Sequence, residues 1–142
     1  MAEQPVMTVE ETRELLAEYL PDEAGLDVVE VSARGLVFTS RPERLWARPG
    51  GTVSGPAIFT FADLSAFVSV SAYVGKVPSA VLTSSSFSFL EAVEPGPLRA
   101  RIAAARIGRR SAVLTAHVED EQDLLIAMGT LHFSYPGKRR TG

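Results

Sequence analysis

Between Arg48 and Lys76 the chain carries a single charged side chain, Asp63, set inside an apolar run that extends from Ala57 to Val74. So long an apolar run has to be buried, and whatever buries it sets the architecture. Pro56 stands just before it and favours the first turn of a helix, where a missing N–H removes no hydrogen bond. The segment Ala57-Ile-Phe-Thr-Phe-Ala-Asp-Leu-Ser-Ala-Phe-Val68 is apolar on nearly every side, as a buried helix is. Residues 65–73 also alternate small with larger apolar groups, which a strand would do. Pro56 and the length of the run favour the helix. Asp63 and several serines interrupt it, so a membrane span is not expected.

The acid itself is the anomaly. Flanked by Phe59, Phe61, Ala62, Leu64 and Phe67, its carboxylate would be at least partly desolvated. An unpaired carboxylate in such surroundings costs several kcal/mol or takes up a proton. It lies about two turns beyond Pro56, too far in to cap the helix, and aspartate is a poor helix former. Either Asp63 faces water or pairs with an arginine such as Arg48, or it is retained for chemistry. The residues alone leave both open.

The rest of the chain organises around this run. Thr8-Val-Glu-Glu11 fits a capping box, Val9, Leu15, Leu16, Tyr19 and Leu20 follow at roughly helical spacing, and Pro21 ends a helix over about 8–20. Val28, Val29, Val31 and then Leu36, Val37 and Phe38 read as a hairpin with Ala33-Arg34-Gly35 between them. Arg41 to Gly51 is a loop with two prolines and two glycines. Strand-like segments then cover Ala80–Leu90, Leu98–Ile107, Ser111–Glu119 and Leu124–Tyr135, separated by Glu94-Pro-Gly-Pro97, Gly108-Arg109 and Glu119-Asp-Glu-Gln-Asp123. The pattern predicts an α+β fold with one antiparallel sheet, its last four strands in meander connection.

Length and composition narrow the function. With 142 residues, 46% of them apolar and 22% charged, the chain is the size of one domain with one sizeable core. The expected domain is 1–142, with a core over about 8–135 and a flexible tail at 136–142. A net charge of −3 argues against a nucleic-acid partner, the Lys138-Arg139-Arg140 cluster reading as a solvated tail. Without cysteine there is no disulfide, thiol nucleophile or cysteine-held metal. His117 and His132 sit in strands without metal-ligand spacing. There is no Gly-x-Ser-x-Gly elbow, and Thr52-Val-Ser-Gly-Pro lacks the ending of a phosphate loop. The start lacks the pattern of a signal peptide, so the expected location is cytoplasmic.

Taken together, Arg48-Pro-Gly-Gly-Thr-Val-Ser-Gly-Pro-Ala-Ile-Phe-Thr-Phe-Ala-Asp63 resembles the signature of hotdog-fold acyl-CoA thioesterases of the phenylacetate-degradation (PaaI) type. Ser88-Phe-Leu90 with Glu94-Pro-Gly96, Arg106-Ile-Gly-Arg109 and Met128-Gly-Thr130 extend the resemblance over roughly residues 10–135. It implies a long central helix wrapped by a curved antiparallel sheet, paired across a two-fold axis into a homodimer, commonly with two dimers forming a tetramer. It also implies an acyl-CoA substrate, with coenzyme A entering only as part of that substrate and no other cofactor. Asp63 would be general base or nucleophile. The Gly55 backbone N–H, at the helix start and from the other subunit, would polarise the thioester carbonyl.

Several positions depart from that pattern. Ser54 replaces the family's usual His, Arg48 its usual Asn, and Pro56 its second glycine, though Gly55 keeps its own N–H and Ser54 can hydrogen-bond the start of the helix. The Ser or Thr often found on the following strand falls at Leu82, with Thr83 adjacent. Arg106, Arg109 and Arg110 are candidate contacts for the coenzyme A phosphates, and Phe59, Phe61, Phe67 and Phe87 candidate pocket walls. The Ser84-Ser85-Ser86 run could hydrogen-bond substrate or be ordinary strand. The leading reading is a thioesterase with Asp63, Gly55 and Ser54 at the catalytic site and Arg48, Pro56, Thr83 and the arginines around the substrate. The alternative is a hotdog protein that binds an acyl-CoA or acyl ligand without turnover. A dehydratase ranks last, for want of a histidine near Asp63.

Overall fold

A computed structural model describes residues 3–41 and 49–137. Helix α1 spans Val9–Tyr19 and opens on the expected capping box: the Glu11 N–H donates to Thr8 Oγ1 at 3.1 Å and the Thr8 N–H to Glu11 Oε1 at 2.9 Å. A short 3₁₀ turn, Asp22–Ala24, leads into β1 (Leu26–Ser32) and β2 (Gly35–Ser40). These form the predicted hairpin, with a bulge after Val28.

Helix α2 runs from Gly55 to Val74. It is apolar and long enough to cross a membrane by length and composition, but most of it is buried against the sheet. Ile58, Phe61, Ala62, Ala66, Val68, Val70 and Ala72 lie in the core. Its serines cost little because they are satisfied locally, Ser65 Oγ donating to the Phe61 carbonyl and Ser69 Oγ to that of Ser65. Only one side of the first half is open: Gly55, Phe59 and Asp63 are half-buried, and Pro56 and Thr60 are exposed.

Four further strands follow: β3 (Val81–Phe89), β4 (Arg99–Ile107), β5 (Ser111–Glu119) and β6 (Leu125–Ser134). All pairings are antiparallel, in the order β1-β2-β4-β5-β6-β3. This corrects the expected meander. Strands β4, β5 and β6 do form one, but β3 does not join β4. It closes the far edge beside β6, and residues 90–98 carry the chain back across the sheet. Crossing the two strands between β3 and β4 takes ~15 Å, and that segment can stretch over more than 25 Å. The Val53 N–H donates to the Val93 carbonyl at 2.8 Å, tying the returning segment to the start of α2.

One face of the sheet meets α2 and the other faces outward. On the outer side, the positions contributed by β3 are Val81, Ser84, Ser86 and Ser88. Their partners on β6 are Ser134, His132, Thr130 and Met128, continued on β5 by Ser111, Val113, Thr115 and His117. Beyond β5 the outer face changes character. Arg99, Arg101 and Glu119 form ion pairs there, and Asp27 and Glu30 follow on β1.

Candidate active site

The site is built at the start of α2. Ser54 caps the helix: its Oγ accepts from the Ala57 N–H at 3.1 Å and its carbonyl from the Ile58 N–H at 3.1 Å. The side chain is 2% exposed, so it holds the helix end and presents nothing to solvent. Pro56 lies in the first turn as expected and has no N–H to place. The first turn's free donor is therefore the N–H of Gly55, which has no partner among the described residues. It stands at the positive end of a 20-residue helix, a position suited to an oxyanion.

Asp63 lies two turns further along the same side. Partial burial pushes its carboxyl above the ordinary aspartate range, with desolvation the only cause. Among the described residues nothing donates a hydrogen bond to it and no cation pairs with it. Arg48, the arginine suggested for that role, lies outside the described residues. Eight residues separate Gly55 from Asp63, which at ~1.5 Å per residue is ~12 Å. A base and an oxyanion donor acting on one carbonyl must each come within ~3 Å of their targets. The two groups of one chain are too far apart to serve the same carbonyl.

Strand β3 runs beside this part of the helix. A Cβ built on Gly55 would lie 3.6 Å from the Phe89 ring, and Phe59 packs edge-on against Phe87 with centroids 5.5 Å apart. Phe87 in turn packs against Phe89 at 5.4 Å. One turn of helix thus matches two residues of strand. Continued by one more step, the same spacing would bring Asp63 level with Ser85 on the strand's inner face. Gly129 makes room for this arrangement, since a Cβ there would stand 2.6 Å from the Phe87 ring.

The sequence reading of these walls needs amendment. Phe61 is core, 2% exposed, and Phe67 packs on Tyr19 of α1 at 5.4 Å. Phe89, not singled out from the sequence, stands at Gly55 and is 51% exposed. Its signal was there: it shares a strand face with Phe87. Thr83 occupies a bulge between Leu82 and Ser84, its Oγ1 donating to the His132 carbonyl at 3.1 Å. Past that bulge Ser84 and Ser86 face outward, while Ser85 faces inward beside Leu131.

The arginines lie elsewhere. Arg106 is near the end of β4, and Arg109 and Arg110 form the β4–β5 turn, all exposed. The turn is pinned by Tyr135, whose hydroxyl donates to the Gly108 carbonyl at 2.6 Å. This end of the sheet is level with Leu82, and Gly55 is level with Phe89. Seven strand residues separate those levels, or ~23 Å. Within one chain the structure does not bring the arginines to the helix start. No metal-holding cluster of His, Asp and Glu occurs among the described residues.

Comparison with known proteins agrees with this architecture. The structure of a candidate thioesterase from Silicibacter sp. TM1040 superposes with a TM-score of 0.82 at 26% identity, over 96% of each chain. A thioesterase from Haemophilus influenzae gives 0.81 at 17% identity over 100% of both chains. The PaaI protein of the E. coli phenylacetic acid degradation operon gives 0.73 at 15% identity, over 92% of this chain and 97% of that one, a likeness of fold. No curated protein sequence matches. The profile of the thioesterase superfamily matches residues 50–127, which takes in the helix start, Asp63, Phe89 and the arginine turn. With that match over more than half its length and a hotdog fold throughout, the chain belongs to the thioesterase superfamily.

Proposed function

We propose that the protein hydrolyses an acyl-CoA thioester at a site shared by two copies of the chain, Asp63 coming from one and the Gly55 N–H from the other. The observation that carries this reading is the ~12 Å between those groups along one helix: each is free and suitably placed, yet one chain cannot use both. Antiparallel pairing of two α2 helices about an axis beside Phe59 sets Asp63 of each against Gly55 of the other. The exposed edge of β3 supports the same association. Antiparallel β3–β3 pairing also turns the partner's sheet end for end, so that its Arg106, Arg109 and Arg110 end lies alongside the helix start. That suits them to the phosphates of coenzyme A.

In this site Asp63 takes a proton from water as the water oxygen attacks the thioester carbon. The oxyanion forms against the Gly55 N–H, and collapse expels the coenzyme A thiolate, which recovers the proton. A fixed donor of this kind is typically worth ~3–4 kcal/mol. Direct attack by the Asp63 carboxylate, giving an anhydride that water then opens, uses the same placement. Phe59, Phe87 and Phe89 offer an uncharged wall for the acyl group, and Ser85 a hydroxyl on Asp63's side. The Ser-Gly-Pro segment is then a PaaI-type variant in which Ser54 has become a helix cap.

That cap favours a second reading, a protein that binds acyl-CoA without turnover, because Ser54 offers the substrate none of what the family's usual histidine offers. Thiol release from a panel of short, long and aryl acyl-CoAs separates the two. Hydrolysis by the wild type, lost to background in a folded Asp63→Ala variant, is expected. Binding without release by the wild type would replace the thioesterase with the binding protein, and undiminished turnover by the variant would remove Asp63 from the mechanism.

A further inference from the structure

A second cleft, of about 230 Å³, lies between α1 and β1, at the sheet edge opposite β3. Its apolar walls are Leu16 and Leu20 of α1 and Leu26 and Val28 of β1. Spacings of four on a helix and two on a strand keep such pairs on one face, so both elements turn an apolar side to the cleft. Leu26 and Val28 are buried, and Leu16 and Leu20 pack against the core.

Two guanidinium groups share this lining, Arg13 of α1 and Arg41 just past β2. Arg13 precedes Leu16 by three residues and so lies on the same side of the helix. Each arginine is anchored by a backbone carbonyl: Arg13 Nε donates to Val28 at 3.1 Å and Arg41 Nη2 to Asp22 at 2.6 Å. A guanidinium has five N–H donors, so these anchors fix the two groups and leave most of their donors to be filled. Arg41 Nε is buried and has no acceptor among the described residues, a costly state for a polar group. Asp22 and Asp27 also line the cleft, but both are exposed, and among the described residues neither pairs with Arg13 or Arg41.

We infer that this cleft binds a small organic carboxylate, its acid group held by Arg13 and Arg41 and its hydrocarbon body laid on the four apolar side chains. A carboxylate is the acceptor that guanidinium groups match best, and it can take two N–H bonds at once. The size fits: an apolar cavity of about 150 Å³ holds a benzene, and the larger volume here leaves room for the acid group as well. Inorganic phosphate suits the cleft less, because the leucine and valine walls offer it no donors. The inference does not depend on the thioesterase reading, since the cleft and the start of α2 serve different edges of the sheet.

Titration of the full chain with hexanoate and benzoate, followed by amide NMR, tests the inference, with hexanol and inorganic phosphate as comparisons. Saturable shifts centred on Leu16, Leu20, Leu26 and Val28 are expected with the two acids. Binding at least about tenfold weaker is expected for hexanol and phosphate, and for both acids in Arg13→Gln and Arg41→Gln, the scale of one lost charge-assisted bond. Arg13 is exposed, so its variant reads the site even if Arg41→Gln fails to fold. Absence of saturable binding, shifts centred on Gly55 and Phe59, or undiminished binding by folded Arg13→Gln would overturn the site. Phosphate binding as tightly as the acids would overturn the carboxylate and leave an unselective anion site.

Discussion

The two edges of the sheet are built to opposite purposes. An exposed edge strand invites pairing with another chain, and proteins blunt such edges with charge, bulges or covering elements. The β1 edge has all three. Asp27 and Glu30 sit on it, a bulge interrupts it after Val28, and α1 packs beside it with Arg13 Nε donating to the Val28 carbonyl at 3.1 Å. The β3 edge has a bulge only at its start, at Thr83. From Ser84 to Phe89 it is regular, uncharged and mostly exposed. One edge is closed by its own sequence, and the other is left open at the place where the proposed shared site calls for a partner.

The largest effect should follow from giving β3 the protection that β1 has. In an antiparallel β3–β3 pair, Ser84→Lys with Ser86→Lys would gather four positive charges on one face, and like charges opposite each other are destabilising. The double variant should be monomeric by light scattering and at least about 100-fold slower in thiol release, the scale of losing an oxyanion donor. Val29→Lys, on an exposed β1 position, should change neither mass nor rate. Equal effects at both edges, or full activity in a monomer, would end the comparison and the shared site with it.

Much of this was legible in the sequence, and the remainder fails for a common reason. Asp63 stood out because a carboxylate inside an apolar helix breaks local rules, and Pro56 and the Thr8–Glu11 box marked helix starts through local hydrogen-bond chemistry. What depends on distant pairing was not legible. Alternation bounds β3 well but cannot say that it joins β6 and not β4. It also cannot see the bulge at Thr83, which decides that Ser85 and not Ser84 faces the helix. The arginines near 106–110 look suited to phosphates in sequence, yet the register puts them at the far end of the sheet from Gly55. In the proposed dimer a second chain would bring the two together.

The next effect concerns pH. If Asp63 is the base, kcat/KM should fall on the acid side with a midpoint above the ordinary aspartate value of about 3.9, because desolvation raises its pKa. A midpoint at or below that value would mean that another group limits the rate. The same shift bears on stability with a definite sign. A carboxyl whose pKa is raised by folding binds its proton more tightly in the folded state, so ionisation weakens the fold as pH rises. Asp63→Asn should therefore be more stable than wild type at neutral pH. The gap should open from about pH 3.9 up through the raised pKa, stay constant above it, and close in acid. Chemical denaturation at pH 7 and pH 3 reads this directly. A variant less stable than wild type at pH 7 would mean that the carboxylate is held by favourable partners, and that the site is structural.

The smallest effect tests the closed edge. Thr8→Ala removes the side chain that accepts the Glu11 N–H, and loss of such a cap costs about 1 kcal/mol, or ~2–4 °C in Tm for a chain of this size. Helix α1 (Val9–Tyr19) packs beside β1, a sheet's width away from the β3 edge (Val81–Phe89), so the oligomer and the rate at 25 °C should not change. The value of the variant lies in that contrast. If weakening α1 uncovers β1, the protein should begin to aggregate below its unfolding temperature, because a second open edge turns a closed two-fold pairing into one that can continue from chain to chain. Loss of stability without such aggregation would mean that Asp27, Glu30 and the bulge are enough to close β1, and that α1 serves the core.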